Sequence, residues 1–125
     1  HARQAQMDLF AWNLGQVGAM AKGQAEYDAE AATAAAENLV AIASLSPDPM
    51  WPEGSDSTAL GDATDAKAAI WKDYPAFLDK REHLITTLAS FLDVAGTGLG
   101  PMKAAIGDVG KACGACHKEY REKDD

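Results

Sequence analysis

Apolar residues recur along this chain at three- and four-residue steps, in stretches separated by glycine- and proline-bearing breaks. Met7, Phe10, Leu14, Val17 and Met20 form one such stripe and predict a helix from about Ala2 to Ala21. Lys22 and Gly23 close it with a basic residue and a glycine. Asp28 suits the N-cap of a second helix, Ala29 to Leu45, whose apolar face holds Ala32, Ala36, Leu39, Val40 and Ile42. Pro47, Pro49, Pro52 and Gly54 forbid its continuation and open a long loop to about Asp62. Thr64 to Lys72 predicts a short helix carrying Ile70 and Trp71. Asp73 then caps a third long helix, with Pro75 in its first turn, where a missing N–H is harmless. Phe77, Leu78, Leu84, Ile85, Leu88 and Leu92 build its buried face up to Gly96. Gly100-Pro101 opens a fourth helix, Pro101 to Glu122, with Ile106, Val109 and Ala112 on its apolar side. There is no tandem repeat and no strand signal. The expectation is an all-α fold, an antiparallel four-helix bundle with one long crossover loop, in a single domain over residues 1–125.

Composition agrees with that fold. The chain has 125 residues, enough for one core, and is alanine-rich, 47% hydrophobic and poor in β-branched residues. Its formal net charge of −8 makes nucleic acid and anionic membranes poor partners. Solubility is the plain reading of that charge, and a basic electron-transfer partner is the sharper one. No apolar run reaches membrane-spanning length. The sequence shows no leader peptide, and an uncapped start at His1 suggests that a short N-terminal piece precedes it.

The densest chemistry lies near the C-terminus, in Cys113-Gly114-Ala115-Cys116-His117. Two cysteines three apart followed by histidine is the attachment pattern of a c-type haem. On a helix these residues share one face, so a single turn offers two thiols to the haem vinyl groups and one imidazole to the iron. A redox dithiol is the main alternative, but a βαβ setting is missing. A structural zinc site wants about four ligands, and no second Cys/His pair stands at ligand spacing. A disulfide is poorly placed within one helical turn. The expected cofactor is one covalently attached haem c with its iron on His117, which makes an exported, periplasmic compartment the natural home. No acid–base or nucleophile constellation accompanies the motif, so an enzyme is not expected.

With the motif on the last of four helices, the chain resembles the class II cytochromes c, the cytochrome c′ family. The segments Met20 to Asp28 and Lys67 to Trp71 are similar to that family's helix junctions, and Gly107 to Arg121 is similar to its haem-binding end. The resemblance implies that Arg3, with Gln4 beside it, approaches the haem propionates, and that Met7 occupies the helix-one position facing the distal side of the haem. Phe10, Trp12, Trp71 and Phe77 are candidate haem-packing aromatics, with ordinary core or dimer packing the default for each. Arg121, one turn after His117, would cover the imidazole and raise the potential; otherwise it simply complements the helix macrodipole. His117 with Met7 as second axial ligand gives a single-electron carrier exchanging with redox partner proteins, the preferred reading. His117 alone gives a five-coordinate gas-binding cytochrome c′ for nitric oxide or carbon monoxide, with Met7 as packing. Met20 lies ~20 Å from Met7 along the first helix, Met102 is similarly remote from His117 along the last, Met50 sits in a loop, and His83 is expected to face solvent. The family resemblance also implies a homodimer through helices one and two, where Ala31 to Ala35 would allow close approach.

Overall fold

The computed structural model describes residues 1–122. Four long helices, α1 (Ala2–Ala21), α2 (Ala29–Ala43), α5 (Tyr74–Ala95) and α6 (Leu99–Tyr120), form the bundle. Two short ones, α3 (Ser57–Leu60) and α4 (Ala69–Lys72), lie in the crossover between α2 and α5. Polar ties along the helices set their directions. Gln6 Nε2 donates to Ile42 O at 2.9 Å and Asn38 Nδ2 to Asn13 Oδ1 at 3.1 Å, so α1 and α2 run antiparallel. The guanidinium of Arg81 reaches Leu45 O at 3.1 Å, while Tyr27 OH donates to Ala95 O at 2.6 Å, which makes α2 and α5 antiparallel as well.

The main core draws on all four long helices. Val17, Ala32, Ala36, Leu39, Leu88, Phe91, Ala95 and Met102 are fully buried in it. The small side chains of Ala32, Ala35 and Ala36 let α2 approach its neighbours closely. Gly96 marks the tightest approach, since a Cβ there would stand 2.6 Å from Thr33 Oγ1. The alanines expected to serve a dimer are therefore partly spent inside the chain: Ala32 and Ala35 are buried, and Ala31 and Ala34 face outward.

The boundaries of α1 and α5 fall where the pattern places them, and Asp28 and Asp73 cap α2 and α5 with their side chains. Four boundaries differ. Helix α2 stops at Ala43, because Ser44 Oγ turns back to Val40 O at 2.7 Å and Pro47 follows. Thr64 to Ala68 is not helical: Lys67 N donates to Tyr120 O at 2.8 Å and Glu122 N to Asp65 O at 2.7 Å, with an antiparallel bridge between Ala66 and Arg121. The same stitch ends α6 at Tyr120 instead of Glu122. At its other end α6 starts at Leu99, since Gly98 (φ 153°) supplies a turn that side-chain-bearing residues avoid, and Pro101 fits the first turn. No helix among the described residues is long and apolar enough to cross a membrane.

Candidate haem-attachment site

Cys113 and Cys116 are half-buried free thiols on the inner side of α6. They face different surroundings. Cys113 packs against the main core, and Cys116 against a second cluster built from Ala66, Ile70, Phe77 and Tyr120, with Trp51, Trp71 and Tyr74 around it. The two sulfurs therefore flank the seam between the clusters. Burial pushes both thiols up, Cys116 to about 11, with Lys80 opposing and Cys113 and Glu119 adding to the rise. A redox dithiol needs the opposite shift, toward thiolate at neutral pH. Zinc lacks donors too, since no group of three or more His, Cys, Asp or Glu is gathered among the described residues.

His117 reaches solvent on the next step of the helix. Partial burial, and after it the Arg121 cation, hold its imidazole below the usual range. At neutral pH the ring is neutral and can offer a lone pair. Two thiols in their protonated form and a neutral imidazole on one turn are the donor set that a vinyl-linked, histidine-held haem requires. The residues present fit the group.

Around that turn the second cluster is strongly aromatic. Trp51 meets Phe77 edge-on at 4.8 Å, Phe77 meets Tyr120 edge-on at 5.3 Å, and Tyr74 stacks on Phe77 at 5.8 Å. Trp71 Nε1 donates to Trp51 O at 3.0 Å, fixing the two tryptophans to one another. Trp71 and Phe77 were anticipated from the sequence. Trp51 and Tyr120 go beyond the sequence expectation, although Tyr120 stands one turn after Cys116 and its position on that face is readable from spacing.

The helix-one residues divide. Arg3 is engaged by the crossover: Nη1 donates to Ser55 Oγ at 2.7 Å and Nη2 to Ser55 O at 2.7 Å and Thr64 Oγ1 at 3.1 Å. Its guanidinium carbon lies 4.5 Å from the centre of the Trp51 ring. Gln4 Nε2 donates to Ala63 O at 2.9 Å. Met7 is 40% exposed and belongs to neither buried cluster. Phe10 is buried in the main core, apart from the aromatics around Cys116. Trp12 is 63% exposed on the opposite side of α1 from Phe10, so it packs in no core. Met20 Sδ accepts from Asp28 N, and Met102 is fully buried, which places both sulfurs in structural roles. His83 is exposed, as expected. Arg121 Nε lies 4.0 Å from Asp65 Oδ2 and close enough to His117 to depress its basicity.

A family model described as Cytochrome C′ matches residues 1–121. The chain belongs to the cytochrome c′ family. It is 41% identical over 124 residues to a cytochrome c-554 of Cereibacter sphaeroides, covering 98% of this chain and 91% of that one. It is 35% identical over 128 residues to the cytochrome c′ of Halomonas halodenitrificans, covering 97% and 93%. Among solved structures, a cytochrome c′ from Rhodobacter sphaeroides superposes with a TM-score of 0.94 at 36% identity, covering 98% and 94%. The nitric oxide complex of a cytochrome c′ mutant from Alcaligenes xylosoxidans superposes with a TM-score of 0.84 at 32% identity, covering 98% and 91%. As a cytochrome c′ family member the chain carries covalently attached haem c.

Proposed function

We propose that this protein is a five-coordinate haem c protein that takes up a small neutral gas such as nitric oxide or carbon monoxide. The observation that carries the reading is the likeness over nearly the whole chain to cytochromes c′, one of them solved as a nitric oxide complex. In this reading Cys113 and Cys116 hold the haem, each sulfur bonding one vinyl carbon while the thiol proton goes to the other. His117 is the single protein ligand to the iron. The haem supplies an iron position open to a gas, and the protein supplies orientation and a filter. Met7 packs over that position without bonding. A thioether is a weak neutral donor that stays on iron when packing holds it, and neither buried cluster backs Met7. The role is binding rather than catalysis, and the compartment is the periplasm.

A second reading, the His117/Met7 electron carrier, is favoured by the residue type at position 7. The absorption spectrum of the reduced holoprotein with and without carbon monoxide separates the two. A broad high-spin spectrum that sharpens on adding gas, unchanged by Met7→Leu before the gas is added, is expected. Sharp split α and β bands that ignore the gas and vanish in Met7→Leu would replace this reading with the second.

Homodimerisation through α1 and α2 belongs to the same proposal. A solved relative at TM-score 0.87 and 30% identity is described as having a ligand-controlled dimer dissociation. On this chain Leu9 (51% exposed) and Trp12 (63% exposed) present large apolar groups on the outer side of α1.

A further inference from the structure

The chain is acidic overall, with 19 Asp and Glu against 11 Lys and Arg. One face of α6 is the reverse. At 3.6 residues per turn, Lys103, Lys111 and Lys118 fall within an arc of roughly 80°, and Arg121 follows at the helix end. All four are exposed. Of the acidic residues of α6, Glu119 turns to Lys80 at 3.8 Å, and Asp108 lies about 60° beyond the lysine arc, one turn before Lys111. From neighbouring elements, Asp65 meets this face at Arg121. Lys111 and Lys118 make no ion pair among the described residues.

The helix macrodipole accounts for Lys118 in the last turn, but not for Lys111, and Lys103 stands near the N-terminal end, where the dipole disfavours a cation. Between the lysines stand Gly107, Gly110 and Gly114, where an added Cβ would meet nothing within 4 Å. Packing therefore does not require glycine there, and each glycine costs about 1 kcal/mol of helix stability relative to alanine. The result is a smooth strip of backbone edged by cations on the outer side of α6, running past the turn whose inner side carries Cys113 and Cys116.

We infer that this face docks the acidic surface of a redox partner protein, which exchanges an electron at the haem-attachment turn. Near contact only charges within about 10 Å act strongly at moderate salt, so the lysine arc outweighs the distant net charge. The partner is thus acidic, contrary to what the overall charge of this chain suggests. The inference rests on the attached haem and is independent of what fills the sixth position.

The test oxidises the reduced holoprotein with hexacyanoferrate(III), which takes one electron and becomes hexacyanoferrate(II). If the arc governs approach, the rate falls about tenfold as ionic strength rises from low to physiological, although protein and oxidant are both net anions. Lys111→Glu with Lys118→Glu reverses that slope, and Lys111→Gln with Lys118→Gln flattens it should the double glutamate fail to fold. A wild-type rate that rises with salt overturns the inference. Hexacyanochromate(III), paramagnetic and not an oxidant here, provides a readout independent of electron transfer. It should broaden amide NMR signals between Gly110 and Arg121; broadening centred elsewhere overturns the proposal. Neither result depends on whether carbon monoxide binds.

Discussion

Replacing Arg3 with methionine keeps the length and apolar stem of the side chain and removes its guanidinium. That group makes four contacts with oxygen: Ser55 Oγ and Ser55 O at 2.7 Å, Thr64 Oγ1 at 3.1 Å and Met50 O at 3.4 Å. It also lies over Trp51 at 4.5 Å and Trp71 at 5.9 Å. A hydrogen bond from a charged donor contributes about 1.5–3 kcal/mol when its partners are dry. Here the segment is half-buried. Ser55 Oγ keeps its own bond to Pro52 O at 2.6 Å, and Thr64 Oγ1 still accepts from Ala66 N at 3.1 Å. Water can therefore recover much of the loss, and the net cost should be about 2–3 kcal/mol, a cation–ring share of about 0.5–1 included. In a domain of this size that lowers Tm by about 8–10 °C. Native-state hydrogen exchange should quicken in the crossover between Met50 and Ala66 and leave the α2–α5 core unchanged. Arg3→Lys keeps the charge but not the fork, so it should recover less than about 1 kcal/mol. Two results would refute the clamp. One is a methionine variant within about 0.5 kcal/mol of the parent with unaltered exchange. The other is full recovery by lysine, which would leave Arg3 acting only as a charge toward the haem propionates.

Gly96→Ala places a Cβ 2.6 Å from Thr33 Oγ1 at an ordinary negative φ, so its cost of about 1–2 kcal/mol is steric and should largely disappear in the Thr33→Ala background; a urea double-mutant cycle measures the coupling. Tyr27→Phe removes a hydroxyl that donates to Ala95 O at 2.6 Å and accepts from Gly98 N at 3.1 Å, costing about 1–2 kcal/mol with an unchanged m-value in urea unfolding. In the haem-free chain, Cys116 should react with iodoacetamide about tenfold more slowly at pH 8 than an exposed cysteine. Its thiol is raised from 9.0 to about 11, which makes thiolate about a hundredfold scarcer, while a more basic thiolate regains about half of that on a logarithmic scale. The rate should keep climbing with pH toward 11, and a plateau near 9 would show that burial does not protect the sulfur.

How much of this was legible in the sequence depended on the range of the interactions involved. Helices α1 and α5 carry their apolar stripes and end signals locally, and their limits were readable to within a residue. Thr64 to Ala68 looks helical by itself, but it is drawn out straight by hydrogen bonds to Tyr120 and Glu122, about fifty-five residues away, which no local pattern announces. Cys113, Cys116 and His117 were legible because their spacing is their chemistry. Trp51 lies in a proline-rich loop without period, so nothing in its neighbourhood tied it to Phe77. Trp12 was legible as an outward residue, open to dimer packing rather than to the haem. The arithmetic that groups Met7 with Phe10 puts Trp12 about 200° from Phe10 around α1, on the outside.

A thirty-residue crossover is entropically expensive to order, and here it is fixed at three places. Arg3 grips it from α1, the Ala66–Arg121 bridge stitches it to the end of α6, and Trp51 and Trp71 pack it onto Phe77. All three anchors touch the aromatic cluster against which Cys116 packs. The same contacts that hold the loop therefore shape the surroundings of Cys116, and a mutation at one anchor should be felt at the others. Met7 sits one turn beyond Arg3 and just short of the buried Phe10, bound to neither. Its freedom is bounded by a clamp on one side and the core on the other. If Met7 faces the iron, as the family resemblance implies, the proposed gas-binding reading requires its thioether to stay off the metal, and the His117/Met7 carrier would require this turn of α1 to hold it there.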